Sequence, residues 1–254
     1  MEIKYLLKFG ERKYLGSLLK GQLYFTNAET LRKHELEQLI KGQGDKLEGG
    51  SMVAFANVHL TNYNDGFDVF KGSEHQIFVH FGPANKLPVF CLFACFEKDC
   101  IETDDGKLII NLSSETEEYI RTHFPKADSV AIIQEPHDFI ESVRASIGHN
   151  CVSDLVKYFN LTGVKSEDKI FNDLDYQMYL MQDTPPKIEN KKKTYVFNEK
   201  FVYRSLLCKD NYFLLEQEYR FILPDLSIDV PKEFSIDYKG KIEIITLNDF
   251  FKES

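Results

Sequence analysis

Three ionisable side chains, Glu216, Glu218 and Arg220, stand at alternate positions inside the run from Phe213 to Pro224. The run is rich in aromatic and aliphatic residues and stops at a proline, which reads as a strand. Side chains alternate in direction along a strand, so these three share one face while Leu215, Gln217, Tyr219 and Phe221 line the other. Burying a lone charge in an apolar core is very costly. The face is therefore either wet, with its charges in cross-strand ion pairs, or it lines a polar cleft. In a cleft, two neighbouring carboxylates and a guanidinium would be groups turned toward whatever occupies it.

A second concentration of candidate groups is Gly42–Gly50, with four glycines around Asp45 and Glu48. It lacks the Gly-Lys-Ser/Thr ending of a P-loop, and it is too short and too poor in oxygen ligands for a calcium loop. It reads either as a structural turn or as a loop lining a site. Asp45 and Glu48 together with the two late acids around magnesium would make a nuclease, but no metal-spaced acid set is recognisable. Cys91, Cys95 and Cys100 contain no CxxC pair, so zinc is not expected, and Cys91 and Cys95 read as small buried hydrophobes. No metal site is expected. His149 and Cys151 lie too close in sequence to face each other as a nucleophile pair.

The elements that must position these groups begin with a strand over 1–10, closed by Lys8-Phe9-Gly10, where the glycine permits a turn or a close backbone approach. Helical spacing of Tyr14, Leu15, Leu18 and Leu19 predicts a helix over 12–20 with Gly21 as its C-terminal cap. Leu23-Tyr24-Phe25 is a second strand, and this strand–helix–strand unit sets Lys8-Phe9-Gly10 near Tyr24-Phe25. A helix is predicted over 28–41, and strands over 51–59, 76–81 and 88–96, the last apolar on both faces. A strand over 108–112 precedes a helix over 113–124 with Ser114 and Glu117 in capping-box spacing. A strand over 129–134, a helix over 136–147, mixed segments over 152–158 and 170–181, a strand at Phe201-Val202-Tyr203 and a late strand over 241–245 complete the chain. The stretch 183–193 is linker-like. The strands after it look needed to complete a sheet begun before it. The expected architecture is one α+β domain over 1–254, with mixed or antiparallel sheets, flanking helices and an exposed loop near 183–193.

Of the 254 residues, 43% are hydrophobic and 28% charged, the balance of an ordinary soluble globular protein. No run approaches a membrane span and no signal-like apolar segment follows Met1, so a cytoplasmic location without membrane association is expected. Five cysteines, an odd number, agree with a reducing compartment. The formal charge of −9 repels nucleic acid at long range, so contact with it would need a local basic patch. The best candidate patch, Lys187–Lys193, reads first as a solvated loop.

Tyr5–Gly10 with Leu18–Phe25, the loop Gly42–Gly49 and the late Glu216-x-Glu218-Tyr-Arg220 together resemble a widespread group of poorly characterised bacterial proteins, several of which sit in phage-defence or abortive-infection settings. More distantly the arrangement is similar to the ADP-ribosyltransferase fold. That resemblance implies an NAD-dependent ADP-ribosyltransferase of the glycosyltransferase class, a toxin-like effector with NAD as substrate and a macromolecule, protein or nucleic acid, as acceptor. An antitoxin or regulatory protein is an implied partner, as in toxin-antitoxin systems. Glu218 would stabilise the oxocarbenium-like ribose and bond its 2′-hydroxyl, and Glu216 would position or deprotonate the acceptor. Arg220 or Lys8 would hold pyrophosphate, Tyr24 and Phe25 would stack on nicotinamide, and Gly10, next to Phe9, would let the backbone approach the ligand. The sequence departs from the family pattern in two places. Lys8 stands where the family carries Arg or His, and Ala94-Cys95-Phe96 stands where it carries Ser-Thr-Ser. The alternative implied by those departures is a non-catalytic sensor or interaction module of the same fold.

Overall fold

In the computed structural model the described residues are 2–38, 47–55, 58–61, 68–72, 75–161, 174–182, 187–189, 192–194 and 198–252. The expected site-lining residues Gly42–Lys46 lie outside them, as do parts of the linker-like stretch 183–193 and of the predicted helix over 28–41.

An eight-stranded sheet organises the protein. Its strands are β1 (Ile3–Gly10), β2 (Gln22–Asn27), β3 (Pro88–Phe96), β4 (Ser129–Ile133), β5 (Val152–Leu155), β6 (Glu218–Ile222), β7 (Lys232–Ser235) and β8 (Ile242–Thr246). The main path runs β5–β6–β3–β1–β4–β8, with every neighbouring pair antiparallel. β2 pairs with both β3 and β7. Outside this sheet are small two-stranded pieces, among them the parallel pair Lys157–Phe159 with Cys208–Asp210. Among the described residues six α-helices flank the strands: α1 (Arg12–Leu15), α2 (Ala28–Gln38), α3 (Ser114–His123), α4 (Pro136–Ser146), α5 (Leu174–Met181) and α6 (Leu247–Phe250). The fold is α+β and its sheets are mainly antiparallel. Among the described residues no helix is long and apolar enough to cross a membrane.

β3 is central because its sequence is apolar at every position and both of its faces are covered. Phe90, Leu92, Ala94 and Phe96 pack with Leu6, Phe221 and the α4 residues Phe139 and Val143. Phe93 and Cys95 pack on the opposite face with Leu7, Ile120 of α3 and Phe250 of α6. Val89 belongs to a third cluster with Ile222 and Leu206. Between Phe93 and Val89 on that second face lie Cys91 and, on β6, the polar Glu218 and Arg220.

The registers show where the sheet opens. Phe93 is paired to Glu218 on one edge and to Leu7 on the other, while Val89 is paired to Ile222 and to Thr26. β1 and β2 therefore share one edge of β3 and diverge, leaving Phe90–Leu92 without a strand partner there among the described residues. The Lys8 ammonium fills this fork and donates to the Cys91 carbonyl at 2.7 Å.

Several predicted elements change type. The helix over 12–20 breaks after Leu15 and resumes as a 3₁₀ turn over Leu18–Lys20, with Ser17 Oγ bonded to the Tyr14 carbonyl at the break. Gly21 caps it in the left-handed region at φ 67°, where a Cβ would lie 2.4 Å from the Ile236 carbonyl oxygen, so only glycine fits. The α3 cap is Ser113 rather than Ser114, its hydroxyl accepting from the Thr116 N–H at 3.1 Å. Phe201-Val202-Tyr203, expected as a strand, belongs to a 3₁₀ helix over Glu199–Leu207 that Asn198 caps. The basic run contributes two short strands, Lys187–Glu189 and Lys192–Thr194, paired with each other.

Candidate functional site

The run Phe213–Pro224 is not one strand. Asn211–Glu216 is a 3₁₀ helix started by Asp210, whose carboxylate accepts the Tyr212 N–H at 3.0 Å. Gln217 turns the chain at φ 40°, and β6 begins only at Glu218. Local capping thus outweighs the extended preference of the aromatic residues. Glu216 and Glu218 nevertheless converge, because the turn at Gln217 lets the end of the helix and the start of the strand look into one space.

That space is buried. Glu216 is 6% exposed and Arg220 fully buried, so the wet-face reading does not hold. Arg220 reaches Glu218 Oε2 through Nε at 2.8 Å and Nη2 at 2.7 Å. The same guanidinium meets Glu48 at 2.5 and 3.0 Å and the Leu206 carbonyl at 2.6 Å. Glu48 arrives on the turn that includes Gly49, itself at φ 69°. Lys209, 5% exposed, bonds Glu216 Oε2 and lies 3.6 Å from Glu218 Oε2. Tyr119 of α3 donates to the other Glu216 oxygen at 3.0 Å. The backbone of Glu218 is held as well, its N–H by the Tyr158 hydroxyl at 3.0 Å and its carbonyl by the Val156 N–H at 2.8 Å.

The two carboxyls sit in opposed electrostatic surroundings. Burial pushes Glu216 up to about 7, against the pull of the Lys209 ammonium. Burial also resists ionisation of Glu218, but Arg220 and then Lys209 outweigh it and hold that carboxyl down at about 2. One acid is therefore a firm anion while its neighbour titrates near neutrality, the division of labour that acid–base pairs use. Burial raises the Cys91 thiol beside them to about 12, so it is no nucleophile at neutral pH.

Three hollows meet at Glu218. The fork between β1 and β2 encloses about 150 Å³ bounded by Lys8, Tyr24, Thr26, Glu216, Glu218 and Arg220. A smaller hollow of about 60 Å³ against α3 includes Lys8, Phe9, Tyr119 and both acids. On the other side of Glu218 a cleft of about 780 Å³ runs past Gln217, Tyr158, Asn111 and Ser114. That volume is in the range of small-molecule sites, whereas the fork holds a ring-sized group.

The structure thus brings Lys8, Phe9, Tyr24, Glu216, Glu218 and Arg220 around shared hollows and separates two expected residues from them. Phe25 is fully buried in the core, 5.6 Å from the Phe90 ring and 5.1 Å from the Phe234 ring, and cannot stack on a ligand. Alternation on β2 explains the difference, since Tyr24 points out, 57% exposed. Gly10 borders none of the three hollows. It pairs with Ser129, and a Cβ there would touch Leu15 at 3.4 Å, so its smallness serves the packing of α1. Arg220, expected to hold pyrophosphate, has its guanidinium occupied by Glu48, Glu218 and a carbonyl. Lys209, Tyr119 and Tyr158 were not singled out from sequence. Tyr119 and Tyr158 reach the acids from elements distant in sequence, and of the three only Lys209 lies close to Glu216 along the chain. Among the described residues no group of three or more His, Cys, Asp or Glu could hold a metal ion. Comparison of the chain with protein-family models, curated proteins and solved structures gave no match.

Proposed function

We propose that the chain is an NAD-dependent ADP-ribosyltransferase acting on a macromolecular acceptor. The observation that carries this reading is the pair Glu216–Glu218 converging on one hollow with Lys8 and Tyr24, Glu218 ion-paired to Arg220 and Glu216 buried against Lys209 and Tyr119. In this reading nicotinamide sits in the fork against Tyr24, and Lys8 spends its remaining ammonium hydrogens on pyrophosphate. The bond from the ribose C1′ to nicotinamide breaks, and nicotinamide leaves with the electron pair. The Glu218 carboxylate offsets the positive charge on the sugar. A nucleophilic atom of the acceptor bonds to C1′ and gives its proton to Glu216, an acid whose affinity for protons suits neutral pH. The further suggestion that this serves as a toxin-like effector in bacterial phage defence rests on the sequence resemblance alone.

The test is incubation with adenylate-labelled NAD and cell lysate, comparing the wild type with Glu218→Gln. Label transfer by the wild type and its loss in the variant are expected. Equal transfer by both, or none by either, counts against the reading. One observation favours the second reading, a non-catalytic module of the same fold. Arg220 is fully buried and committed to Glu48, Glu218 and Leu206, as in a structural ion network. Calorimetry with NAD showing no heat, alongside a protein partner recovered by pull-down, would favour that reading.

A further inference from the structure

We infer that Lys209 is the positioning residue of the carboxylate pair, its buried ammonium bridging Glu216 and Glu218 and setting how readily Glu216 gives up its proton. The inference rests on the proposed roles of the two acids and adds a residue to them. Lys209 is delivered by the short strand Cys208–Asp210, which runs parallel to Lys157–Phe159. Its ammonium bonds Glu216 Oε2, lies 3.6 Å from Glu218 Oε2 and sits 4.2 Å from the Phe213 ring centroid. An ammonium on an aromatic face between two carboxylates has little room to withdraw, because moving it would strip buried anions of their counter-charge.

The surroundings make the two acids unequal in their need for it. Glu218 has the Arg220 guanidinium at 2.7 and 2.8 Å and stays an anion whether or not Lys209 is charged. Glu216 meets Lys209 from one side and the uncharged Tyr119 hydroxyl from the other. Among the described residues the remaining ionisable groups bordering the pair are Lys8 on β1, Tyr24 on β2, Cys91 on β3, Glu48 and Tyr158. Glu48 shares the Arg220 guanidinium with Glu218, the Lys8 ammonium acts on Glu218, and the thiol and phenols are uncharged at neutral pH. The ionisation of Glu216 therefore depends on Lys209 as it does on no other neighbour. Without that cation, burial and the Glu218 anion both favour the proton on Glu216, and the acid can no longer act as a base at neutral pH.

The test compares Lys209→Met and Lys209→Arg with the wild type by nicotinamide release across acid to alkaline pH. A parallel carbon-13 NMR titration of the glutamate carboxyls without NAD uses Glu216→Gln to identify the resonance. In Lys209→Met the acid limb of the rate profile is expected to rise by about one pH unit or more, with about a tenfold loss at neutral pH that alkaline pH restores. The Glu216 titration midpoint moves with it, and Lys209→Arg keeps both near the wild type. Lys209→Gln serves if the Met variant does not fold. A purely structural lysine would scale the whole profile down and lower the melting temperature without moving the limb. That result, or an unmoved midpoint, overturns the inference. If the wild type releases no nicotinamide at any pH, the ADP-ribosyl reading fails and the NMR midpoint alone decides the role of Lys209.

Discussion

Replacing Glu216 by Gln should remove a stability loss that the wild type suffers between mildly acidic and neutral pH. Burial lifts this carboxyl from an ordinary 4.5 to about 7 in the folded protein. The unfolded chain gives up the same proton near 4.5, so over the interval between the two values the folded state binds more protons than the unfolded one. The contribution of Glu216 is then fully present below 4.5 and is lost as pH rises through about 7. A gap of roughly 2.5 pH units, at about 1.36 kcal/mol each, corresponds to about 3 kcal/mol as an upper limit. Glu218 runs the other way. Held at about 2, it contributes stability above 4.5 that is lost as pH falls toward 2. Together the pair favours a stability maximum near pH 4.5, below the neutral optimum of many proteins. Urea unfolding of wild type and Glu216→Gln at a series of pH values measures this directly. The amide keeps an oxygen for Lys209 but cannot ionise, so the difference between the two proteins should change by up to about 3 kcal/mol across the interval. Stability curves that stay parallel would show that Glu216 does not hold a proton in the folded interior, and the acid–base division would fall with it.

Arg220→Met is expected to cost about 3–5 kcal/mol, since it strands Glu48 and Glu218 as buried anions. Thermal unfolding should show the drop, and adding Glu48→Gln should recover part of it. A mild effect, or no recovery, would mean the network is more solvated than its geometry indicates. Phe25→Ala should destabilise by about 3–5 kcal/mol as a core truncation, whereas Tyr24→Ala should change stability by less than about 1 kcal/mol and weaken NAD binding by calorimetry. The reverse ranking would assign the two aromatic residues opposite places.

Much of the sheet could be read directly. The apolar run of β3, the strand character of β1 and the glycine cap at Gly21 each appear where local chemistry puts them, although β1 buries both Leu6 and Leu7, one on each face, and does not alternate in burial. Boundaries and types failed where a short-range polar contact overrode the apolar pattern. Ser17 ended a helix early, and Asn198 and Asp210 started 3₁₀ turns inside stretches that look extended. Spacing along a single strand would put Glu216 beside Glu218 on one face. Glu216 reaches that place by a different route, through the left-handed turn at Gln217.

By itself the sequence determined that two acids and an arginine would crowd together, because residues two apart cannot move far from one another. It also determined that Lys8 and Tyr24 would lie on two strands joined by one short connection. Only the tertiary structure decided what those groups do to each other. Glu48 lies 172 residues from Arg220 and Tyr119 lies 97 from Glu216, so their encounters depend on how β1, β2, β3 and α3 are arranged in space. A carboxyl becomes a firm anion or a neutral-pH base according to the charges and the dryness around it. Those are properties of the folded interior, and spacing along the chain does not carry them.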